Sequence, residues 1–204
     1  MADKQFLNTV YDETGVQRMK DVYRDWADSY DAEVTANGYA TPARAAKALA
    51  AHTSTDTAIL DVGCGTGLIG AAYADAGFKT IDGCDLSPEM LEKAKTLGLY
   101  RALWVSDIGL PIDTSGGPYG VVSAVGVIGA GAAPLSFYDE VANLVRPGGL
   151  FIFSFNDNTL KDPAFEEKVA QSTSQGEFEQ VHRDYGPHLI ERGMKSVLYI
   201  LRRQ

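Results

Sequence analysis

Three glycines at alternate positions follow an aspartate at the end of an apolar run, within residues 59–67. The aspartate is Asp61, and the glycines are Gly63, Gly65 and Gly67. Because glycine has no Cβ and tolerates φ > 0, such a loop lets a ligand approach the main chain closely. Asp61 adds a negative charge at the end of the predicted strand. The stretch therefore indicates a nucleotide-like ligand that carries a positive group.

Two further carboxylates stand at the ends of the next two predicted strands. Asp85 follows the second apolar run, and Asp107 follows the third. In an open parallel sheet, ligands bind beyond the carboxyl ends of the strands, where the strand order reverses. A carboxylate after the second strand is a common partner of a ribose diol. With Asp61, these residues predict a ligand that is adenosine at one end and cationic at the other.

Short apolar runs and helical patterns alternate five times along residues 57–155. This alternation predicts a parallel sheet with helices on both faces. Two more strands, 178–185 and 196–202, follow without a crossover helix, so they should pair as an antiparallel hairpin at the sheet edge. The predicted fold class is α/β: a three-layer Rossmann-like sandwich with a mostly parallel seven-stranded sheet, a C-terminal antiparallel hairpin and an N-terminal helical lid.

Aromatic residues recur at helical spacing before the first strand. Tyr23, Trp26 and Tyr30 lie on one face of a predicted helix that runs from 16 to 37. Core packing explains such a stripe, and so does a lid whose rings line the mouth of a pocket. The two interpretations can hold for different rings.

The chain divides into a flexible arm, residues 1–15, and a single domain, residues 16–204. Within the domain, residues 16–55 are predicted to form the lid helices and residues 56–204 the core. Thr41 precedes a proline and an alanine-rich stretch, so it is predicted to be the N-cap of a lid helix.

Composition narrows the class of partner. The chain has 204 residues and a formal net charge of -9, which argues against electrostatic binding of nucleic acid. Two cysteines, Cys64 and Cys84, make neither a disulfide framework nor a metal site, so no metal is predicted. No apolar stretch reaches the length of a membrane span, and the N-terminus has no apolar signal core. We expect a cytoplasmic protein, monomeric or homodimeric, without membrane contact.

Residues 61–67 resemble the first motif of the class I S-adenosylmethionine-dependent methyltransferases. Asp85 resembles their acidic ribose-binding residue, and the pair Asp107 and Ile108 resembles their adenine-binding position. The turn at 144–149 resembles the one that precedes their fifth strand, and the terminal hairpin fits their reversed seventh strand. The resemblance covers roughly residues 16–202.

The resemblance implies a cofactor site built from the glycine loop and the strand ends. Its predicted members are Asp61, Gly63, Cys64, Gly65, Gly67, Asp85, Leu86, Met90, Asp107, Ile108 and Val125. Asp61 is expected to orient the ammonium of the methionine part, Asp85 to bind the ribose hydroxyls, and Asp107 to accept from the adenine amino group. The residues predicted to close over the cofactor or the acceptor are Tyr23, Trp26, Tyr30 and Val127.

Within that superfamily, the chain looks most like small-molecule members, including the Williams-Beuren-region methyltransferase-like group. Histidines often follow the fourth strand in that group, whereas residues 129–133 here are glycine and alanine. His182 and His188 lie in or near the hairpin and are predicted to be surface or satisfied histidines. No catalytic residue is therefore predicted, and positioning should supply much of the rate. The predicted enzyme transfers a methyl group from S-adenosylmethionine to a small-molecule acceptor and releases S-adenosylhomocysteine.

Two alternatives remain open. Residues 65–70 also satisfy the G-x-G-x-x-G pattern of NAD(P)-dependent oxidoreductases, and Asp85 lies at a suitable spacing. Asp61 counts against that alternative, because its charge would repel a pyrophosphate. The second alternative is a protein that binds S-adenosylmethionine without turnover.

Overall fold

In a computed structural model of the chain, a seven-stranded sheet carries helices on both faces, and residues 6–8, 10 and 16–204 are described. The strands are β1 (Ile59–Val62), β2 (Ile81–Asp85), β3 (Ala102–Val105), β4 (Val121–Ala124), β5 (Leu150–Asn156), β6 (Phe178–Leu189) and β7 (Met194–Arg203). The α-helices are α1 (Val16–Trp26), α2 (Tyr30–Ala36), α3 (Thr41–Ala50), α4 (Leu68–Asp75), α5 (Pro88–Thr96), α6 (Phe137–Ala142) and α7 (Ala164–Ser174).

The strand order in the sheet is β3-β2-β1-β4-β5-β7-β6. The pairs among β1 to β5 are parallel, whereas β7 runs antiparallel to both β5 and β6. The order reverses between β1 and β4, which leaves a crevice beyond their carboxyl ends. The predicted seven-stranded α/β sandwich with a terminal hairpin is confirmed.

The central strands are apolar because both of their faces are covered. Every residue of β1 and β4 is buried. Rings of β5, among them Phe151 and Phe153, pack with Tyr138 of α6 on one side of the sheet. On the other side, Ile152 belongs to a cluster with Leu49 of α3. The helices thus fix the sheet on which the strand-end residues stand.

The first predicted lid helix, 16–37, is divided into two helices in the structure. α1 ends at Trp26, and α2 begins at Tyr30 after a short turn. Trp26 is 2% exposed, and its ring stacks on that of Phe6 with centroids 5.6 Å apart. Most of the predicted arm, residues 1–5, 9 and 11–15, lies outside the described residues. Its described turn, Phe6–Asn8, packs against the lid.

Thr41 is the first residue of α3 and not its N-cap, so that prediction is wrong. Ala40 holds the cap position without a side-chain hydrogen bond. The Thr41 hydroxyl is fully buried and bonds instead to His188 and Ser196 in the terminal hairpin. Among the helices that the structure describes, none combines the length and the apolar character needed to cross a membrane.

Candidate functional site

A cavity lies beyond the carboxyl ends of β1, β2 and β4, beneath the lid. Its volume is about 890 Å³, counting the open mouth. The lining includes much of the predicted cofactor site and two lid tyrosines: Gly63, Cys64, Gly65, Asp85, Leu86, Met90, Ile108, Val125, Val127, Tyr23 and Tyr30. We call it the outer cavity. It occupies the place that the strand-order reversal predicts for a ligand.

The glycine loop forms the floor of the outer cavity. The amides of Gly63 and Cys64 both donate to the carbonyl of Cys84, at 2.8 and 3.0 Å, which fixes the loop against β2. Gly63 has φ +70°, and a Cβ there would lie 2.6 Å from a Val127 methyl carbon. Glycine is therefore required at this position for both its conformation and its lack of volume.

Asp85 joins the loop to the start of α5. Its carboxylate accepts from the Gly65 amide at 2.9 Å and from the Ser87 amide at 2.8 Å. Burial raises the pKa of Asp85 despite these hydrogen bonds. A carboxylate has about four acceptor positions, so each oxygen keeps capacity for a second donor. Asp85 can thus hold the loop and accept from hydroxyls in the cavity at the same time.

Asp61 lies beneath the loop and is not among the residues that line the outer cavity. It is fully buried, and its oxygens accept from the hydroxyls of Tyr100 at 2.8 Å and Ser123 at 3.1 Å. Burial is the main cause that raises the pKa of Asp61 to about 7, and the charge of Asp85 adds to it. Its contact with a cofactor ammonium stays a prediction. Tyr100 follows no recognised motif, so the sequence gives no signal for this pairing.

Asp107 faces the lid. Its carboxylate forms an ion pair with Lys20 of α1 and does not line the outer cavity, whereas the neighbouring Ile108 does. Gly67 is also absent from the lining; its φ of +95° serves the start of α4. Roles of Asp107 and Gly67 in cofactor contact stay predictions.

The lid aromatics divide between packing and lining, as the two interpretations allow. Tyr23 and Tyr30 line the outer cavity. The Tyr23 hydroxyl donates to the Gly131 carbonyl at 3.1 Å and so joins α1 to the loop after β4. Trp26 does not line the outer cavity; its indole donates to Glu33 at 2.8 Å, and it contributes to the wall of a neighbouring cavity.

A second cavity of about 580 Å³ lies next to the first. We call it the inner cavity. Five residues line both cavities: Tyr23, Tyr30, Tyr39, Gly126 and Ala132. The remainder of the inner wall includes residues that the sequence does not predict for a site: Ser154, Asn156, Thr159 and His188. They come from β5, the turn after it and β6, which only the hairpin pairing brings together.

The two cysteines are buried free thiols. Burial is the first cause that raises the pKa of Cys84 to about 12, and it also raises the pKa of Cys64. Both thiols therefore stay protonated near neutral pH, and neither is a nucleophile.

The fold and the paired cavities define an α/β domain with a cavity at the strand-order reversal, which is where such sheets bind nucleotide-like ligands. Residues 60–151 match the protein family described as a methyltransferase domain. Residues 60–151 thus match a methyltransferase domain, and they stand on a Rossmann-like fold, so the resemblance seen in the motifs is confirmed.

Relatives and solved structures agree with this assignment. The chain is 34% identical to methyltransferase-like protein 27 of Homo sapiens over 67% of its length and 57% of the relative. It is 32% identical to ubiquinone biosynthesis O-methyltransferase of Vibrio parahaemolyticus over 52% of its length and 47% of the relative. It therefore spans about half the length of these relatives.

Two solved structures of magnesium protoporphyrin IX methyltransferase from Synechocystis PCC 6803 share the fold. The one with bound SAH has a TM-score of 0.64 and 16% identity, and the match covers 91% of this chain and 100% of the other. The one with bound SAM has a TM-score of 0.58 and 19% identity, with 98% and 90% covered.

Proposed function

We propose that the chain transfers a methyl group from S-adenosylmethionine to a small-molecule acceptor, mainly by positioning the two reactants. The observation that carries this proposal is the outer cavity, whose wall brings the glycine loop and Asp85 together. The inner cavity shares five wall residues with it, so a second molecule can sit next to the first.

The residues of the outer cavity fit the cofactor. Asp85 has acceptor capacity for ribose hydroxyls, and Leu86 and Met90 supply apolar surface for an adenine ring. The loop at Gly63 and Gly65 has no side chains to block a methionine part. When bound, S-adenosylmethionine supplies a methyl group on a sulfonium, which is a good leaving group.

The acidic residues also favour this cofactor over NAD. Asp61 lies beneath the glycine loop and has a pKa of about 7, so its partial negative charge near neutral pH suits a cationic ligand at the loop better than an anionic pyrophosphate. The antiparallel β7 between β5 and β6 differs from the 3-2-1-4-5-6 order of dinucleotide-binding folds.

The chain's own residues have two tasks in this reaction. The loop and the strand ends orient one reactant, and the lid tyrosines cover the mouth so that water is excluded from the reacting atoms. Relatives named ubiquinone biosynthesis O-methyltransferase favour oxygen as the acceptor atom. The cytoplasmic location and the monomeric or dimeric state also stay proposals.

Calorimetry with S-adenosylmethionine, S-adenosylhomocysteine and NAD tests the cofactor. We expect micromolar binding of the first two and none of NAD; tight NAD binding without the others would overturn the proposal. Asp85→Asn should weaken the binding of S-adenosylhomocysteine at least tenfold. Asp75→Asn, the same change on the exposed surface of α4, should leave its affinity unchanged.

Turnover is tested separately. The protein and S-adenosylmethionine are incubated with each member of a panel of small phenols, carboxylates and amines, and the S-adenosylhomocysteine that forms is measured. Cofactor binding with no product from any acceptor class would favour the non-catalytic alternative.

A further inference from the structure

The inner cavity contains a histidine whose outward nitrogen has no assigned task. His188 is 6% exposed, and its Nδ1 lies 2.8 Å from the Thr41 hydroxyl. Its ring also packs edge-on against Tyr39. Its Nε2 has no hydrogen-bond partner among the described residues, and the imidazole lines the cavity.

A chain of hydrogen bonds determines which nitrogen of His188 carries the proton. Arg44 Nη1 lies 3.0 Å from the Ser196 hydroxyl, which lies 3.1 Å from the Thr41 hydroxyl. A guanidinium only donates, so Ser196 accepts from Arg44. Each hydroxyl proton then finds an acceptor if Ser196 donates to Thr41 and Thr41 donates to Nδ1. In this order Nδ1 is the acceptor, and Nε2 presents an N–H to the cavity.

Asn156 presents a second donor. Its Oδ1 accepts from the backbone amide of Thr159 at 3.0 Å and from the Thr159 hydroxyl at 3.1 Å. Because a backbone amide must face the oxygen, this pairing assigns the other side-chain atom as the NH₂ group. That group has no acceptor among the described residues.

Ser154 presents a third donor. Its oxygen accepts from the Gly126 amide at 3.0 Å, which leaves the hydroxyl proton available. Ser154 and Asn156 alternate along β5 and so point to the same face of the sheet. Asn156 also lies opposite Ser196 in the antiparallel register with β7. Ser196 belongs to the hydrogen-bond chain of His188, so the three donors share one side of the sheet.

The rest of the inner wall combines apolar side chains, among them Val34, Ile128 and Leu189, with Trp26, three tyrosines, Thr159 and the main chain of the segment 129–131. The described residues that line it include no aspartate or glutamate. Three donors with no competing carboxylate, next to apolar and aromatic side chains, make a site for an anionic oxygen.

We propose that the inner cavity binds the methyl acceptor through a carboxylate, which accepts from His188 Nε2, Asn156 Nδ2 and Ser154 Oγ. The acceptor is thus an aromatic or branched apolar carboxylic acid. This proposal rests on the proposed function, because it makes the inner cavity the acceptor side of a methyl-transfer site. The carboxylate is an anchor, and the atom that is methylated lies elsewhere in the molecule.

The electrostatics agree with the geometry. Burial first, and then the charge of Arg44, lower the pKa of His188 to about 4, although Asp157 opposes them. His188 is therefore neutral from pH 5 to pH 8 and keeps its Nε2–H throughout. It acts as a fixed donor and not as a general base, in agreement with the absence of a predicted catalytic residue.

Two pairs of probes test the carboxylate: benzoate against benzamide, and 3-phenylpropionate against 3-phenylpropionamide. Binding is measured by calorimetry and ligand-observed NMR, with and without saturating S-adenosylhomocysteine. We expect at least one acid to bind no less than tenfold more tightly than its amide. Equal binding of acid and amide in both pairs, or no binding by either acid, would overturn the proposal.

Asn156→Asp is the diagnostic variant, because it keeps the oxygen that accepts from Thr159 and replaces the donor with a negative charge. It should weaken binding of the acid at least tenfold and change the affinity for the amide by less than threefold. Asn143→Asp makes the same change at an exposed position after α6 and should alter neither. An unchanged acid affinity in Asn156→Asp contradicts the proposal.

Nitrogen NMR of the histidine rings tests the assigned donor directly. We expect His188 to be the Nε2–H tautomer from pH 5.5 to pH 8. The chemical shift of its Nε2 should change when the acid binds. An Nδ1–H tautomer or an imidazolium overturns the assignment. S-adenosylhomocysteine calorimetry on the same samples separates the two proposals: lost cofactor binding counts against the function, and acid binding without selectivity counts against the anchor alone.

Discussion

Asp61→Asn should remove a pH-dependent destabilisation of the fold. The Asp61 side chain is fully buried, and its pKa is raised from 3.8 to about 7, mainly by burial. A group whose pKa is higher in the folded state favours folding while it is protonated. Its contribution is complete below its unfolded pKa and is lost as the pH rises through the folded value. Asparagine has nearly the same shape but does not titrate.

The size of the effect follows from the proton that the folded state retains. From pH 5 to just below pH 7, the unfolded chain has an ionised Asp61 and the folded chain a mostly protonated one. Each pH unit then costs about 1.4 kcal/mol of unfolding free energy. The loss is about 2 kcal/mol by pH 7 and levels off at about 3 kcal/mol by pH 8, which is a large fraction of the about 5–15 kcal/mol that is typical of a domain.

Urea unfolding at intervals from pH 5 to pH 8 measures the effect. The wild-type chain should lose about 3 kcal/mol more than Asp61→Asn over this range. Asp75→Asn, on the exposed surface of α4, should follow the wild type. Wild type and Asp61→Asn share every other titrating group, so the difference between them reports Asp61. Parallel curves for wild type and Asp61→Asn would refute the reasoning.

Three further predictions concern the loop, the lid and the sheet. Gly63→Ala should lower the free energy of unfolding in a urea titration by about 1–3 kcal/mol, because Gly63 has a positive φ and the position of the added Cβ is blocked. Gly65→Ala should cost less, because no atom lies within 4 Å of the added carbon there. Tyr23→Phe removes a lid hydrogen bond worth about 1 kcal/mol, so stopped-flow fluorescence should show S-adenosylhomocysteine leaving about fivefold faster, and an unchanged rate would contradict this. Arg101→Met leaves the buried carboxylate of Asp82 without its cation and should lower the urea midpoint of unfolding at pH 7. Burial acts to raise the pKa of Asp82, but Arg101 and a tyrosine hydroxyl hold it below its ordinary value. The cost of Arg101→Met should therefore shrink as the pH falls below about 4. A cost that does not change with pH would exclude this cause.

The architecture could be predicted from the sequence because each strand carries a local signal. β1 and β4 are short apolar runs, and Ser87 with the following proline marks the start of α5, where its hydroxyl accepts from the Met90 amide. The glycine loop and Asp85 could be predicted for the same reason, because a motif records both residue type and spacing. These signals need no knowledge of contacts between distant parts of the chain.

The inner cavity could not be predicted in this way. Thr41 looks like an N-cap because a proline follows it, yet its hydroxyl pairs with His188, which is 147 positions away. The partners of Asp61, the hydroxyls of Tyr100 and Ser123, likewise come from distant parts of the chain. In each case a tertiary partner decides the role of the side chain, and no local pattern identifies that partner.

The lid contacts have a consequence for how long a bound molecule stays. Two ion pairs, Lys20 with Asp107 and Lys93 with Asp28, connect the segment around α1 to the core. Both pairs are partly exposed, so salt screens them. Departure of a bound molecule through this side requires that they separate, and higher ionic strength should shorten its residence time. If product departure limits turnover, added salt would therefore increase the steady-state rate even where it leaves the chemical step unchanged.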